Sequence, residues 1–406
     1  MALSIQMAFR NLLRRPLRSV LTGTMIVIGT TLAVWMMGQA QGSYDLMIDG
    51  TTRGWIGHFQ VLDPEYHDSA SLYDTVDEPA TLLEDLREVE GVQGVTARIE
   101  TGGLIAAENR TVGALVIGVD PIHEARTSTL GRNISDGEWL TPGEVGESEN
   151  YPIIIGRGVA NRLAVSVGAE VSFVGQAADG SIAAELFTVV GIYDSGSRSA
   201  DRSLALIRLE RAQELLALEG RVHRIVGTLD DSRSLASVMG ELPRPEEYLV
   251  ADWMELNPML WQLIEADRNS SRIMLWIIIA VVVIGVANTM AMSVFERTRE
   301  LGVMLALGTG PRQVVAVVLW EVAWLSGLGV LIGIGLGALA VEYTRIPLPE
   351  PLEMGGVVFT HLTGSNTWAW TVLNPLLVIV ASLVSGLYAA RRAALLNPVD
   401  AIRGRH

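Results

Sequence analysis

The chain has 406 residues, 49% of them hydrophobic, and a mean hydropathy of +0.34, too apolar for an ordinary soluble protein of this length. It has no cysteine, which excludes disulfide staples, thiolate metal sites and cysteine nucleophiles. Its net charge of −15 argues against nucleic acid as a partner, because phosphates require cationic surfaces.

The charge is unevenly placed. Residues 45–268 hold 38 acidic residues and 17 arginines, a net −21, whereas the remainder of the chain is net positive. So acidic a middle fits a solvated domain outside the cytoplasm.

At the start, residues 1–18 set Leu3, Met7, Leu12 and Leu13 among Arg10, Arg14 and Arg15. This is either an amphipathic entry helix on the inner leaflet or a basic topology signal alone. Residues 19–44 carry no charge between Arg18 and Asp45 and are long enough to cross a bilayer. The run exceeds the apolar core of a usual signal peptide, so it is read as a first span.

The block 45–268 reads as α+β. Thr81 and Glu84 have the spacing of a capping box opening a helix, which Gly91 stops. Residues 103–107 and 112–119 read as a hairpin around Glu108, and 170–175 and 185–193 as strands joined through Asp179-Gly180. Helices are expected over 157–164 and 209–218. Trp253 to Arg268 reads as a stalk helix leading straight into the next span, with Trp253, Leu260, Trp261 and Ile264 on its apolar side. A continuous stalk transmits movement; the same side chains equally serve to pack the domain onto the bilayer.

The second span covers 273–295. Residues 296–312 follow, with Glu296, Arg297, Arg299 and Glu300 at one end and Leu301, Met304, Leu305 and Leu307 behind them. Gly308 ends this segment and Pro311 starts the next helix. Such a helix on the membrane face suits docking in a groove on a partner protein.

The third span, 313–341, contains one acidic residue, Glu321, and a Gly329, Gly333, Gly337 stripe that permits close helix packing. Gly38 and Gly42 repeat that spacing in the first span. A proline-rich loop, 342–369, precedes the fourth span at 370–390, and 391–406 form a tail. The predicted fold is therefore an α-helical membrane protein with four transmembrane helices and an α+β extracytoplasmic domain inserted between the first and second.

Arginines fix the expected orientation. Arg10, Arg14, Arg15 and Arg18, then Arg297, Arg299 and Arg312, then Arg391, Arg392, Arg403 and Arg405 all fall on one side if there are four spans. Both termini are then cytoplasmic. No GxxxxGK[ST] loop, HExxH or GxSxG motif is present, and the six histidines lack ligand spacing. No cofactor is expected in this chain, and ATP-driven work would need a partner that binds ATP and Mg.

These segments, in this order, resemble the MacB/FtsX-like permeases of ABC transporters, in particular the lipoprotein-releasing LolC/LolE type. The resemblance rests on Arg10 to Thr22, on Ile153 to Leu163 with Phe187 to Ile192, on Glu296 to Gly308 with Pro311-Arg312-Gln313, and on Asn397 to Arg403. It implies a transport subunit in the bacterial inner membrane, coupled through residues 296–308 to a cytoplasmic ABC ATPase dimer. It also implies a second permease copy or paralogue, and a lipid or lipoprotein substrate expelled outward by mechanical transmission. Met25, Ile28, Leu32, Met36, Met37, Trp261 and Ile264 are candidates for the substrate cavity, or else ordinary lipid-facing positions. A periplasmic carrier or adaptor is a further implied partner. The stretch Gly175 to Glu185, where one such permease carries a protruding hook, is short here. MacB-like efflux or transmembrane signalling, moving peptides, drugs or no substrate, and a membrane-anchored sensor or enzyme with no ATPase remain the alternatives.

Overall fold

The computed structural model describes residues 7, 8, 10, 14, 16–141, 150–195, 201–354 and 357–394. Most of the entry segment and the ending Asn397 to Arg403 lie outside the described residues. The chain divides into two compact units. One comprises Met1–Tyr44, Leu263–Pro347 and His361–His406; the other comprises Asp45–Gln262 and Leu348–Thr360.

Among the described residues, four helices are long and apolar enough to cross a membrane. They are α1 (Pro16–Thr51), α2 (Pro258–Glu296), α4 (Pro311–Tyr343) and α5 (Asn374–Ala394), with the short α3 (Thr298–Ala306) between α2 and α4. Pro258 and Pro311 each begin a helix, where proline's missing N–H costs nothing. In the helical unit one apolar cluster joins Ile26 and Ala33 of α1, Val282 and Val286 of α2, Val318 and Val322 of α4 and Val378 of α5.

The other unit is built on a ten-stranded sheet. Its strands are β1 (Phe59–Leu62), β3 (Val92–Ala107), β4 (Arg110–Val119), β5 (Ile134–Gly137), β6 (Tyr151–Gly156), β7 (Glu170–Gln176), β8 (Ile182–Tyr193), β9 (Leu204–Arg208), β11 (Arg224–Leu229) and β12 (Leu249–Asp252). The short β2 (Val76–Asp77) and β10 (Arg221–Val222) pair separately. The pairings β3–β4, β4–β9, β9–β6, β6–β8, β8–β7 and β7–β3 close into a ring. Strands β11, β1 and β12 extend from β3 as an antiparallel arm. Strand β3 serves both parts because it is 16 residues long. Its first half pairs with β11 and its second half with β7. Phe173 and Phe187 are fully buried, and Gly175 leaves room for the Phe173 ring, which a Cβ there would approach to 2.7 Å.

Three local expectations are corrected. Trp253 to Arg268 is not one helix: a single turn, Trp253–Leu256, stops at Asn257 (φ −133°, ψ 70°) before α2 begins. Pro258 disfavours helical geometry in the residue before it, and Asn257 instead caps α2, its Oδ1 accepting from Leu260 N at 3.1 Å. The capping box at Thr81 does not form, because the helix Ala80–Glu88 already begins at Ala80 with Pro79 in the cap position. The stretch 342–369 is more than a loop. It holds a two-stranded hairpin, β13 (Arg345–Met354) and β14 (Val357–Thr363). Pro347, Pro349 and Pro351 are spaced by two, so their missing N–H groups fall on one edge of the strand and leave the other edge to pair.

Candidate coupling helix and membrane groove

Helix α3 is held at its start by two adjacent ion pairs. Glu296 accepts from Arg18 of α1 through both carboxylate oxygens, at 2.7 and 2.5 Å. Arg297 donates to Glu321 of α4 at 3.2 Å, with both side chains about nine-tenths buried. Thr298 donates its hydroxyl to the Phe295 carbonyl at 2.7 Å, and Gly308 closes the far end at φ 93°, a conformation that suits glycine.

These anchors sort the eight residues expected to engage a partner. Leu301 is buried in the apolar cluster, and Met304 and Leu305 are half-buried against it. Arg297 points inward to Glu321, so neither it nor Leu301 presents a surface in this structure. The reason is helical periodicity: Leu301, Met304 and Leu305 share the face that packs inward. Arg299, Glu300 and Gly308 are exposed, and Glu296 is exposed but spanned by Arg18. Leu307, one of the apolar residues the sequence points to here, and Val303, which it does not single out, are 83% and 43% exposed. The signal was present, since both lie opposite the Leu301 face.

Between α1 and α2 runs an apolar groove of about 390 Å³, lined by Leu21, Met25, Ile28 and Leu32 on one side and Ile277 and Val281 on the other. Three of the candidate cavity residues, Met25, Ile28 and Leu32, therefore meet here. Met36 does not: it packs against the helical core. Each four-residue step along a helix turns about 40° past a full circle, so the stripe has rotated inward by Met36. Met37 is likewise buried. Ile264 is 1% exposed, and Trp261 packs edge-on against Trp253 at 6.1 Å within the sheet unit. Ile264 lies outside the groove because it precedes Ile277 on α2 by thirteen residues, about 20 Å along the helix axis.

The glycine stripe of α4 lies on α1. Gly329 faces Ile26, Gly333 faces Thr30 and Gly337 faces Val34, three contacts spaced by four on both helices. Gly38 of α1 in turn faces Val341, and Gly42 faces the backbone at Thr363 and Gly364.

Where α1 ends, a π-helical turn, Thr52–Ile56, enters the sheet unit and is tied to it by buried polar groups. Arg98, on β3, donates to the Trp55 carbonyl at 2.5 Å and to both oxygens of Glu124 at 3.0 and 2.6 Å. Arg53 donates to the carbonyls of Leu229 and Asp230 at 2.9 and 3.0 Å. His58 Nδ1 accepts from Leu229 N at 3.2 Å, which leaves the ring proton on Nε2, toward Thr52 Oγ1 at 3.3 Å. Burial, and then the nearby Arg53, holds His58 down to about 4. The sequence gives no cue to this junction, because its members are distant in the chain.

Four apolar spans with a sheet domain after the first define a multi-pass membrane protein. Residues 272–398 match the family profile described as FtsX-like permease C-terminal, and residues 19–244 match the MacB-like periplasmic core domain. The chain belongs to this family: it is an ABC transporter permease of the MacB/FtsX/LolC type, with its α+β extracytoplasmic domain between the first and second spans. It is 26% identical to the lipoprotein-releasing system transmembrane protein LolC of Xylella fastidiosa (strain 9a5c), over 77% of this chain and 78% of that one. It is 25% identical to the LolC of Neisseria meningitidis serogroup B, over 85% and 86%. The crystal structure of the periplasmic region of MacB from Actinobacillus actinomycetemcomitans aligns with a TM-score of 0.35 at 16% identity, over 52% of this chain and 95% of that one.

Proposed function

We propose that this permease is the membrane half of an ATP-driven machine that extracts lipoproteins or lipid-like substrates from the inner membrane toward the periplasm. The observation that carries the reading is the face that α3 leaves open. After Arg297, Leu301, Met304 and Leu305 have packed inward, Arg299, Glu300, Val303 and Leu307 remain exposed on a helix whose start is fixed by ion pairs. That suits a groove on a separate ATPase, which binds the ATP and Mg that this chain has no motif to hold. With both termini cytoplasmic by arginine placement, α3 faces the cytoplasm and the acidic domain faces the periplasm.

Movement of α3 passes into α2 and α4 through Arg297 and Glu321, and into α1 through Glu296 and Arg18. ATP drives the cycle only if the ATPase binds it with different affinity in the two states. The relatives named as lipoprotein-releasing support the substrate class, as does the apolar groove of Met25, Ile28 and Leu32. A second copy or paralogue of the permease completes a cavity against this groove. Efflux or transmembrane signalling is the second reading. It is favoured by the five-residue turn between β7 and β8, Ala177 to Ser181, which provides no extended hook for a periplasmic carrier.

The test is a photo-crosslinking amino acid at Ile28, compared with one at Leu331 on α4, in native membranes. Acylated proteins captured at Ile28 and not at Leu331 support extraction. A periplasmic adaptor co-purifying with no acylated protein at either position favours efflux and contradicts it.

A further inference from the structure

We infer that the phosphate of a membrane lipid headgroup binds between α1 and α2, against Arg268 and Arg272. The inference needs only that the chain spans a membrane and does not rest on the transport reading.

Two helices mark the same boundary independently. The charge-free run of α1 ends at Tyr44, and that of α2 begins at Ile273, just after Arg272. The structure sets these ends side by side. Met37, Ala40, Gln41 and Tyr44 of α1, with Arg268, Ser271 and Arg272 of α2, enclose a pocket of about 250 Å³. Its lining is graded: Met37 and Ala40 lie deeper along α1, and the polar groups gather at the water-facing end. That is the profile of a lipid where acyl chain meets headgroup.

The charges favour an anion. Tyr44 Oη donates to Asp267 Oδ2 at 2.6 Å, which engages that carboxylate, while the Arg268 guanidinium stands 5.4 Å from the centre of the Tyr44 ring. Glu265 faces both arginines, at 3.9 Å from Arg268 and 3.5 Å from Arg272. Asp267 and Glu265 match the two guanidiniums in number, but the pocket wall itself carries Arg268 and Arg272 and, among the described residues, no carboxylate. Arg272 also donates to Asn269 Oδ1 at 3.0 Å, and its side chain is 52% exposed. A guanidinium carries five N–H donors in a plane, enough to keep such contacts and still bind phosphate oxygens. Arginine at this depth extends its head to the interface while its stem stays in the apolar region.

A soluble phosphate shares this chemistry, and the test separates the two sources. The full chain, purified in mild detergent with its co-purifying proteins, is reconstituted in nanodiscs of phosphatidylcholine with phosphatidylglycerol. Retained phosphatidylglycerol is counted by native mass spectrometry after detergent exchange. Arg272→Gln removes one charge; Ala40→Leu fills the pocket and keeps both arginines. Arg272→Gln is expected to retain roughly fivefold less phosphatidylglycerol, the worth of one basic residue at a membrane surface, and Ala40→Leu to retain less than the parent because it fills the pocket. A folded variant of either kind that retains as much as the parent overturns the proposal. So does equal displacement of the lipid by millimolar glycerol phosphate, which would assign the pocket to a soluble anion.

Discussion

Replacing Gly333 by alanine adds one methyl group where α4 crosses α1. Its Cβ would lie 2.6 Å from Thr30 Cβ, 2.9 Å from Thr30 Cγ2 and 3.1 Å from the Val27 carbonyl oxygen. Carbon atoms pack best at about 3.5–4.0 Å, so the helices must separate by several tenths of an ångström or more. Thr30 Cβ cannot rotate away, because it is attached directly to the backbone of α1. Overpacking of this kind costs about 1–3 kcal/mol. Gly335, two residues on, has no atom within 4 Å of a built Cβ. There, alanine only gains helix propensity, worth up to about 1 kcal/mol. The two substitutions are chemically identical and should differ in sign. Thermal unfolding in one detergent tests this. At about 2–4 °C per kcal/mol, Gly333→Ala is expected to lower Tm by roughly 2–12 °C, and Gly335→Ala to leave it unchanged or raise it. Equal shifts in the two variants would refute the packing argument.

Other perturbations have equally defined outcomes. Glu321→Leu leaves Arg297 buried without its carboxylate and is expected to destabilise by about 3–5 kcal/mol, whereas Arg297→Met with Glu321→Leu should recover most of the loss. Thermal unfolding of the three variants decides it, and a double variant no better than the single would rule out a coupled pair. Burial holds His58 down to about 4, below its ordinary value of 6.5. The unfolded chain therefore takes up that proton first as pH falls. The contribution is fully present above 6.5 and is lost between 6.5 and about 4, a difference on the order of 3 kcal/mol. Denaturant unfolding between pH 7.5 and 4.5 should show a shallower decline for His58→Gln than for the parent; parallel declines would contradict the assignment.

The membrane spans were legible because each is a long charge-free run, a signal carried entirely by local composition. The extra turns of α1 beyond Tyr44 were hidden, since Asp45 and Asp49 read as a water-exposed chain even though the helix continues to Thr51. Turn chemistry placed the hairpin at Glu108 and the tight turn at Asp179-Gly180. It said nothing of the ring, because the pairing of β3 with β7 joins residues some seventy positions apart. The break at Asn257 was readable from Pro258 and was overridden by the helical spacing of the apolar residues around it. For α3, composition gave the helix, whereas which side faces inward depends on Arg18, Glu321 and the core around Leu301. Arg98 sits in an apolar strand and Glu124 on a separate helix, so only folding shows that they meet.

The open face of α3 is the proposed contact for a separate ATPase. The direct measurement is affinity purification from native membranes in mild detergent, comparing the parent with Val303→Asp/Leu307→Asp, with thermal unfolding run alongside. The expected result is an ABC ATPase that co-purifies with the parent and is lost from the variant, while Tm stays within a few degrees. An ATPase retained in full by the variant, or none recovered with the parent, would contradict it.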